Sequence, residues 1–375
     1  MERKLSVKTV VTGSLLVLIP ALFNATDATA AWVMDYAGAL SPDYHDRPCG
    51  RPVAVSYADG DDVLCVTDAA ARSLRVYTAD GIYTFATDAL AALSQPLDAA
   101  IDAEGRFVFT DMDAGRGRTL RRLDLRGEPD AFDVALPADD WFPEHLLITR
   151  DGGLVTVDNT HRLLCKHDAA GALLWSRTLA PEAGDRDLGL GRPAEAADGR
   201  LYITSASLHG VLVQDAEGRP LDSFGRFGSA RGRMVLPVGV AVAPNGSLLV
   251  LDRLRHVVLL FDAEHVFLGE YGSLGTHPGQ FYHPSSIAAT ADGRVIVAQS
   301  FAGRVQIYRL YDSQAGAARA AAGEGRLADL NSASSVNFEA RGLNRSASVA
   351  DASRVSNDGG APWGLSGFES ITMRY

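Results

Sequence analysis

The chain has 375 residues, 47% of them hydrophobic and 22% charged, with a formal net charge of −11. An acidic surface repels phosphate backbones and anionic lipid, which argues against general nucleic-acid binding and against docking on a membrane surface. The only lysines are Lys4, Lys8 and Lys166, so lysine Schiff-base chemistry is disfavoured.

The chain begins MERKLSVK, continues as the apolar run TVVTGSLLVLIPALF and reaches the small-x-small site Ala28-Thr29-Ala30. A basic start, a short apolar stretch and such a site describe a signal peptide, residues 1–30, cleaved after Ala30. The apolar run contains Pro20 and is short for a membrane span of about 20 residues. The expected location is therefore secreted or periplasmic, with no membrane span after cleavage. Cleavage leaves 32 basic against 44 acidic side chains, a net charge of −12. The three cysteines are Cys49, Cys65 and Cys165. An oxidising compartment permits one disulfide, and Cys49 with Cys65 is the nearest pair. Cys165, within RLLCKH, reads as a buried small hydrophobe.

From residue 31 onward the sequence keeps a count. Gly105, Gly152, Gly199, Gly246 and Gly293 sit in turn-like groups such as AEGR, PNGS and ADGR, each 47 residues after the last, and Gly60 precedes them by 45. Six units of nearly constant period mean a repeat architecture. Each unit opens at Pro52, Pro96, Pro143, Pro237 or Pro284, with Leu190 at the matching place in the fourth. An apolar run follows, then the glycine turn, a second run such as LYITS or LLVLD, and a third such as SLRVY or RVQIY. A second turn leads to a fourth run.

Runs of four to six residues rich in Val, Leu, Ile and Tyr between Gly and Asp turns are strands. No stretch of helical period interrupts them between residues 32 and 312. Four antiparallel strands per unit, repeated radially, predict an all-β, six-bladed β-propeller over residues 31–312. The sixth unit supplies only three strands. Its fourth is expected from the chain's start, where AWVMDYAG matches VFLGEYGS of the fifth unit with Asp35-Tyr36 aligned on Glu270-Tyr271. Such a strand closes the ring and removes the exposed edge. Residues 313–375 are rich in Ala, Ser, Gly and Arg, and too poor in apolar side chains to be expected to order themselves.

The order of proline, apolar run, glycine, apolar run ending in Asp, then Arg-Val and a fourth run ending Phe-Gly resembles the NHL repeat. FDAEHVFLGEYGSLGTHPGQFYHP is similar to the junction of two such repeats. The resemblance covers about residues 31 to 312, with Ser205 and Gln299 standing where other units have Asp. It implies a six-bladed ring used as an interaction platform, a kinase sensor domain, an RNA binder or, in one group, a metal-dependent amidating lyase. Ubiquitin-ligase or sensor-kinase roles would need domains this chain lacks.

In such a ring the residue two after the opening proline is expected to face the channel mouth. Those residues are Asp98, His145, Arg192, Gly239 and Ser286, with Ala54 in the first unit; counting the fourth unit from Pro193 gives Glu195 instead. The set differs from blade to blade, as a binding site does. No cofactor is predicted, but Asp98 with His145 is a pair that calcium or zinc would take, or a general base with a carboxylate partner. The Asp residues closing the second strands (Asp68, Asp111, Asp158, Asp252) are read as structural, binding nearby backbone. Two functions follow. One is an extracytoplasmic binding module, a monomeric propeller presenting a face to a protein partner or a carbohydrate-like ligand. The other is a metal-dependent lyase or lactonase-like hydrolase at the central channel. Related hydrolases hold calcium with acidic and Asn ligands, and no Asn stands at the expected mouth positions.

Overall fold

The second run of each unit is strongly apolar, and in the folded chain it is buried along most of its length. The computed structural model describes residues 32–87, 93–113, 117–124, 126–184 and 187–313. The expected signal peptide and the tail beyond Ser313 lie outside the described residues. Strand β1 (Trp32–Ala39) is followed by blade 1, with β2 (Pro52–Ala58), β3 (Val63–Asp68), β4 (Ser73–Thr78) and β5 (Tyr83–Ala86). Blade 2 has β6 (Pro96–Ile101), β7 (Phe107–Asp113), β8 (Gly117–Leu123) and β9 (Pro129–Asp130). Blade 3 has β10 (His145–Ile148), β11 (Leu154–Asp158), β12 (Leu163–His167) and β13 (Leu173–Thr178). Blade 4 has β14 (Ala194–Glu195), β15 (Leu201–Ser205), β16 (Gly210–Gln214) and β17 (Pro220–Phe224). Blade 5 has β18 (Pro237–Val242), β19 (Leu248–Asp252), β20 (Val257–Phe261) and β21 (Phe267–Tyr271). Blade 6 has β22 (Pro284–Ala289), β23 (Arg294–Gln299) and β24 (Arg304–Asp312), with β1 as its outer strand.

The six sheets are antiparallel, four strands each, and form a six-bladed β-propeller. β11, β15 and β19 are buried at every position, because a middle strand packs a neighbouring blade on both faces. Such strands lose the alternation of a half-exposed sheet and read as continuous apolar runs. The outer β17 is mostly exposed. Six apolar clusters fill the six blade interfaces. Each fully buried Leu, Ile or Val there contributes about 1.5–3 kcal/mol relative to an exposed one. The counted glycines adopt left-handed φ at 105, 152, 199, 246 and 293, which explains why glycine is repeated there. Gly60 does not; in blade 1 it is Asp62, at φ 51°, that takes this conformation.

The chain's start does close the ring: β1 pairs with β24 from Trp32↔Asp312 to Ala39↔Gln306. The expected register is corrected. Glu270 lies opposite Leu259, whose counterpart 47 residues on is Gln306, yet Asp35 lies opposite Arg309. A bulge between Tyr36 and Gly38 takes up part of the difference.

The expected disulfide is also corrected, since Cys49, Cys65 and Cys165 are all free and buried. Successive residues of a strand face opposite sides. Leu64 and Val66 pack with Cys49 against blade 6, whereas Cys65 points the other way, to Phe107 and Phe109 of blade 2. Cys49 Sγ instead lies 3.3 Å from the Tyr77 hydroxyl. Burial pushes the Cys65 and Cys165 thiols up to about 12 and about 11, keeping them protonated.

Candidate functional site

Each blade's loops are anchored first by the polar residue ending its second strand. Asp68 accepts the backbone N–H groups of Gly50, Arg51 and Ala71. Asp111 holds Ser94 and Gln95, Asp158 holds Phe142 and His161, and Asp252 holds Val235, Leu236, Leu254 and Arg255. In blade 6 Gln299 accepts from Tyr282, and in blade 4 the Ser205 hydroxyl bonds Leu188 and Leu208. The carboxylate ring is therefore structural, and the two departures from Asp do the same work.

Of the residues two after the opening proline, His145 lines the mouth cavity, whereas Asp98, Arg192 and Ser286 do not. Asp98 is fully buried and Ser286 nearly so. Asp98 Oδ1 accepts from the Ala99 N–H at 2.8 Å, and Oδ2 from Leu146 N–H at 3.1 Å. Arg192 Nε lies 3.2 Å from the same Oδ2 and donates to Leu146 O at 2.8 Å, while Nη1 donates to Val55 O at 2.9 Å. Ser286 Oγ accepts from the Val55 N–H at 3.1 Å. One ion pair and its bonds thus join blades 1, 2, 3 and 4 across the channel and close it. His145 is at the edge of this plug, with Nδ1 3.6 Å from Asp98 Oδ2. Glu195 lies beyond it, in a cavity of about 200 Å³ at the opposite end. There its Oε2 accepts from the Arg150 N–H at 2.7 Å, and burial raises its pKa. Blade 4 is therefore correctly counted from Leu190, not Pro193.

The reason for the shift is a bulge. Pairing slips between Pro52 and Ala54, Pro96 and Asp98, Pro237 and Gly239, and Pro284 and Ser286. The extra residue of a bulge is left unpaired and re-aimed. These bulged residues, Val53, Leu97, Val238 and Ser285, line a cavity of about 360 Å³ above the plug. Glu144 and Gly191 hold the equivalent places in blades 3 and 4, so every blade contributes one residue. Gly191 is obligatory: a Cβ there would lie 2.2 Å from Thr204 Oγ1 and 2.6 Å from Val238 O.

His145, Asn159 and Arg253 complete the polar lining. Asn159 exchanges bonds with the Leu190 backbone, Leu190 N to Oδ1 at 2.6 Å and Nδ2 to Leu190 O at 3.0 Å, and Nδ2 also donates to Glu144 Oε2. Sequence reading missed Glu144, Asn159 and Arg253. Their signal was the same 47-residue ladder, one residue earlier for Glu144 and at the place after each second strand for the other two.

The metal expectation is not met by the donors. A cation beside Asp98 would meet the Arg192 guanidinium, and both carboxylate oxygens are already bonded. Asn159 does reach the mouth, contrary to expectation, but its oxygen is held by Leu190. Among the described residues no group of three or more His, Cys, Asp or Glu side chains is placed to hold a metal ion.

No protein-family model matches this chain, and no curated protein does. Solved structures do. A streptogramin B lyase aligns with TM-score 0.52 at 13% identity, over 75% of this chain and 98% of that one. A gluconolactonase from Xanthomonas campestris gives 0.53 at 17% identity, over 75% and 98%. A Bacteroides thetaiotaomicron protein of unknown function gives 0.57 at 11%, over 75% and 76%. What they share with this chain is the fold. At these identities the fold alone assigns no activity.

Proposed function

We propose that this chain is an exported NHL-type propeller that binds a small polar ligand in the channel mouth above the Asp98–Arg192 plug. The ligand is a carbohydrate-like molecule, free or carried on a protein partner. The observation that supports this reading is the cavity itself: six blades converge on about 360 Å³ with a sealed floor. An apolar wall bearing a few convergent polar groups is the usual form of a small-molecule site. Glu144, His145, Asn159 and Arg253 supply an acceptor, a titratable ring, an oriented amide and a cation. Because the ring closes on its own first strand, it needs no second copy, and a monomer is expected. No helix among the described residues is long and apolar enough to cross a membrane. The test is a thermal-shift screen of small polar compounds. Stabilising compounds should lose their effect in Glu144→Gln and His145→Ala; compounds that stabilise both variants as well as the native chain would place the site elsewhere.

A second reading has one observation in its favour: Glu144 and His145 are adjacent titratable groups lining the same cavity. A carboxylate beside an imidazole can move a proton, which is what a lyase or lactonase-like hydrolase requires. Two of the structures that share the fold are a streptogramin B lyase and a gluconolactonase. Mass spectrometry of each stabilising compound after incubation separates the readings. Products formed by the native chain and not by His145→Ala would establish the enzyme.

A further inference from the structure

One position in the repeat carries a charge that its structural role does not use. The residue after each blade's loop-anchoring Asp, Ser or Gln is Ala69, Met112, Asn159, Ala206, Arg253 and Ser300 in turn. The backbone at this place does the same work in several blades. Ala69 N–H donates to Arg51 O, Met112 to Gln95 O, Ala206 to Gly189 O and Arg253 to Leu236 O, at 2.9–3.0 Å. Alanine suffices for that bond in two blades, so the scaffold does not explain an arginine in blade 5.

The side chain of Arg253 is half-buried and lines the mouth cavity. Its Nε donates to Pro284 O at 3.1 Å, which fixes the plane of the guanidinium. Its two terminal nitrogens have no partner among the described residues. Arg75, Arg121, Arg192 and Arg255 have carboxylates, Asp68, Asp111, Asp98 and Glu270. Arg304 has none but donates from both terminal nitrogens to backbone carbonyls, and Arg162, with a buried Nη1 that has no partner, does not line the cavity. The acid next to Arg253, Asp252, is taken up by backbone N–H groups. Burial without an anion lowers the Arg253 pKa, as expected of a partly desolvated cation whose fixed partner is a carbonyl.

We propose that Arg253 is the anion-recognition residue of the mouth cavity, and that the ligand is a small hydroxylated monocarboxylate. This rests on the channel-mouth reading above. A guanidinium whose Nε is already engaged still presents a pair of terminal donors, and a carboxylate matches that spacing. Glu144, two blades away around the ring, disfavours a second negative charge and accepts hydrogen bonds from hydroxyl groups. One carboxylate at the Arg253 side and hydroxyls at the Glu144 side satisfy both; a phosphate dianion would match the guanidinium equally well but carries a second negative charge toward the Glu144 carboxylate.

The test is calorimetric titration of the protein with D-glucuronate and D-glucose, the same ring with and without a carboxylate. Glucuronate should bind at least about tenfold tighter than glucose. Arg253→Gln should erase that preference, Arg253→Lys should keep part of it, and Glu144→Gln should weaken both sugars. Melting curves of each variant confirm that it is folded; if Arg253→Gln is not, Arg253→Lys carries the test by lowering the preference. Equal binding of the two sugars, or a preference that survives loss of Arg253, overturns the anion assignment and leaves the mouth reading standing. Binding of both sugars that is untouched by Glu144→Gln and His145→Ala overturns the mouth reading as well. No binding of either sugar at millimolar concentration overturns the proposed ligand class.

Discussion

Replacing Arg192 by methionine keeps most of the side chain's length and removes its charge from the centre of the ring. Asp98, fully buried, then loses the cation 3.2 Å from its Oδ2. Leu146 O and Val55 O lose their guanidinium donors in the same step. Removing one partner of a buried ion pair costs about 3–5 kcal/mol, because the remaining charge is left without compensation. For a domain of this size that corresponds to a fall of about 5–9 °C in melting temperature. The assay is urea denaturation at neutral pH of the native chain, Arg192→Met, Asp98→Asn and the double variant. Asp98→Asn removes the buried charge, so the double variant should be more stable than the sum of the single losses by about 2 kcal/mol or more. A loss below about 1 kcal/mol for Arg192→Met, or strict additivity in the double variant, would refute the plug as a coupled element.

Lys166 lies 2.6 Å from Asp151 and, with Thr149, holds the Asp151 pKa down to about 2. A depressed acid contributes stability above its ordinary value of 3.8 that is lost as pH falls. The difference between the native chain and Asp151→Asn should therefore disappear between about pH 4 and pH 2, and it should be under about 1 kcal/mol because the carboxylate is largely exposed. His161 bridges Asp158 at 2.8 Å and Asp140 at 3.0 Å, and the Asp158 bond raises its pKa above 6.5. Its contribution is fully present below pH 6.5 and fades above it, so denaturation of His161→Gln should show a larger loss at pH 5.5 than at pH 8.5. All three cysteines should resist a thiol reagent in the native state and react together on unfolding; an intact mass two hydrogens lighter than the reduced chain would contradict the free thiols.

The ring was legible because its signals are periodic and local. Glycines 47 residues apart mark turns that need left-handed φ, and apolar runs between them have no alternative to a strand buried on both faces. The site was only half legible. Spacing put Asp98, His145 and Arg192 close together, but in blades 1, 2, 5 and 6 the bulge after the opening proline turned the next residue into the cavity and the one after it away from it. A bulge is a property of pairing, and two strands must be in place before it exists. The same physics explains the slipped register of β1, whose bulge at Tyr36–Gly38 no single strand announces. The disulfide failed for a related reason: closeness in sequence says nothing about which face of β3 carries Cys65.

The cavity above the plug is where we propose that this protein meets its ligand. Crystals of the protein soaked with a library of small polar fragments test it directly. Fragment density is expected against Glu144, Asn159 and Arg253, with carboxylate-bearing fragments turned toward Arg253. Fragments gathered at other sites, with only water at the channel mouth, would contradict it.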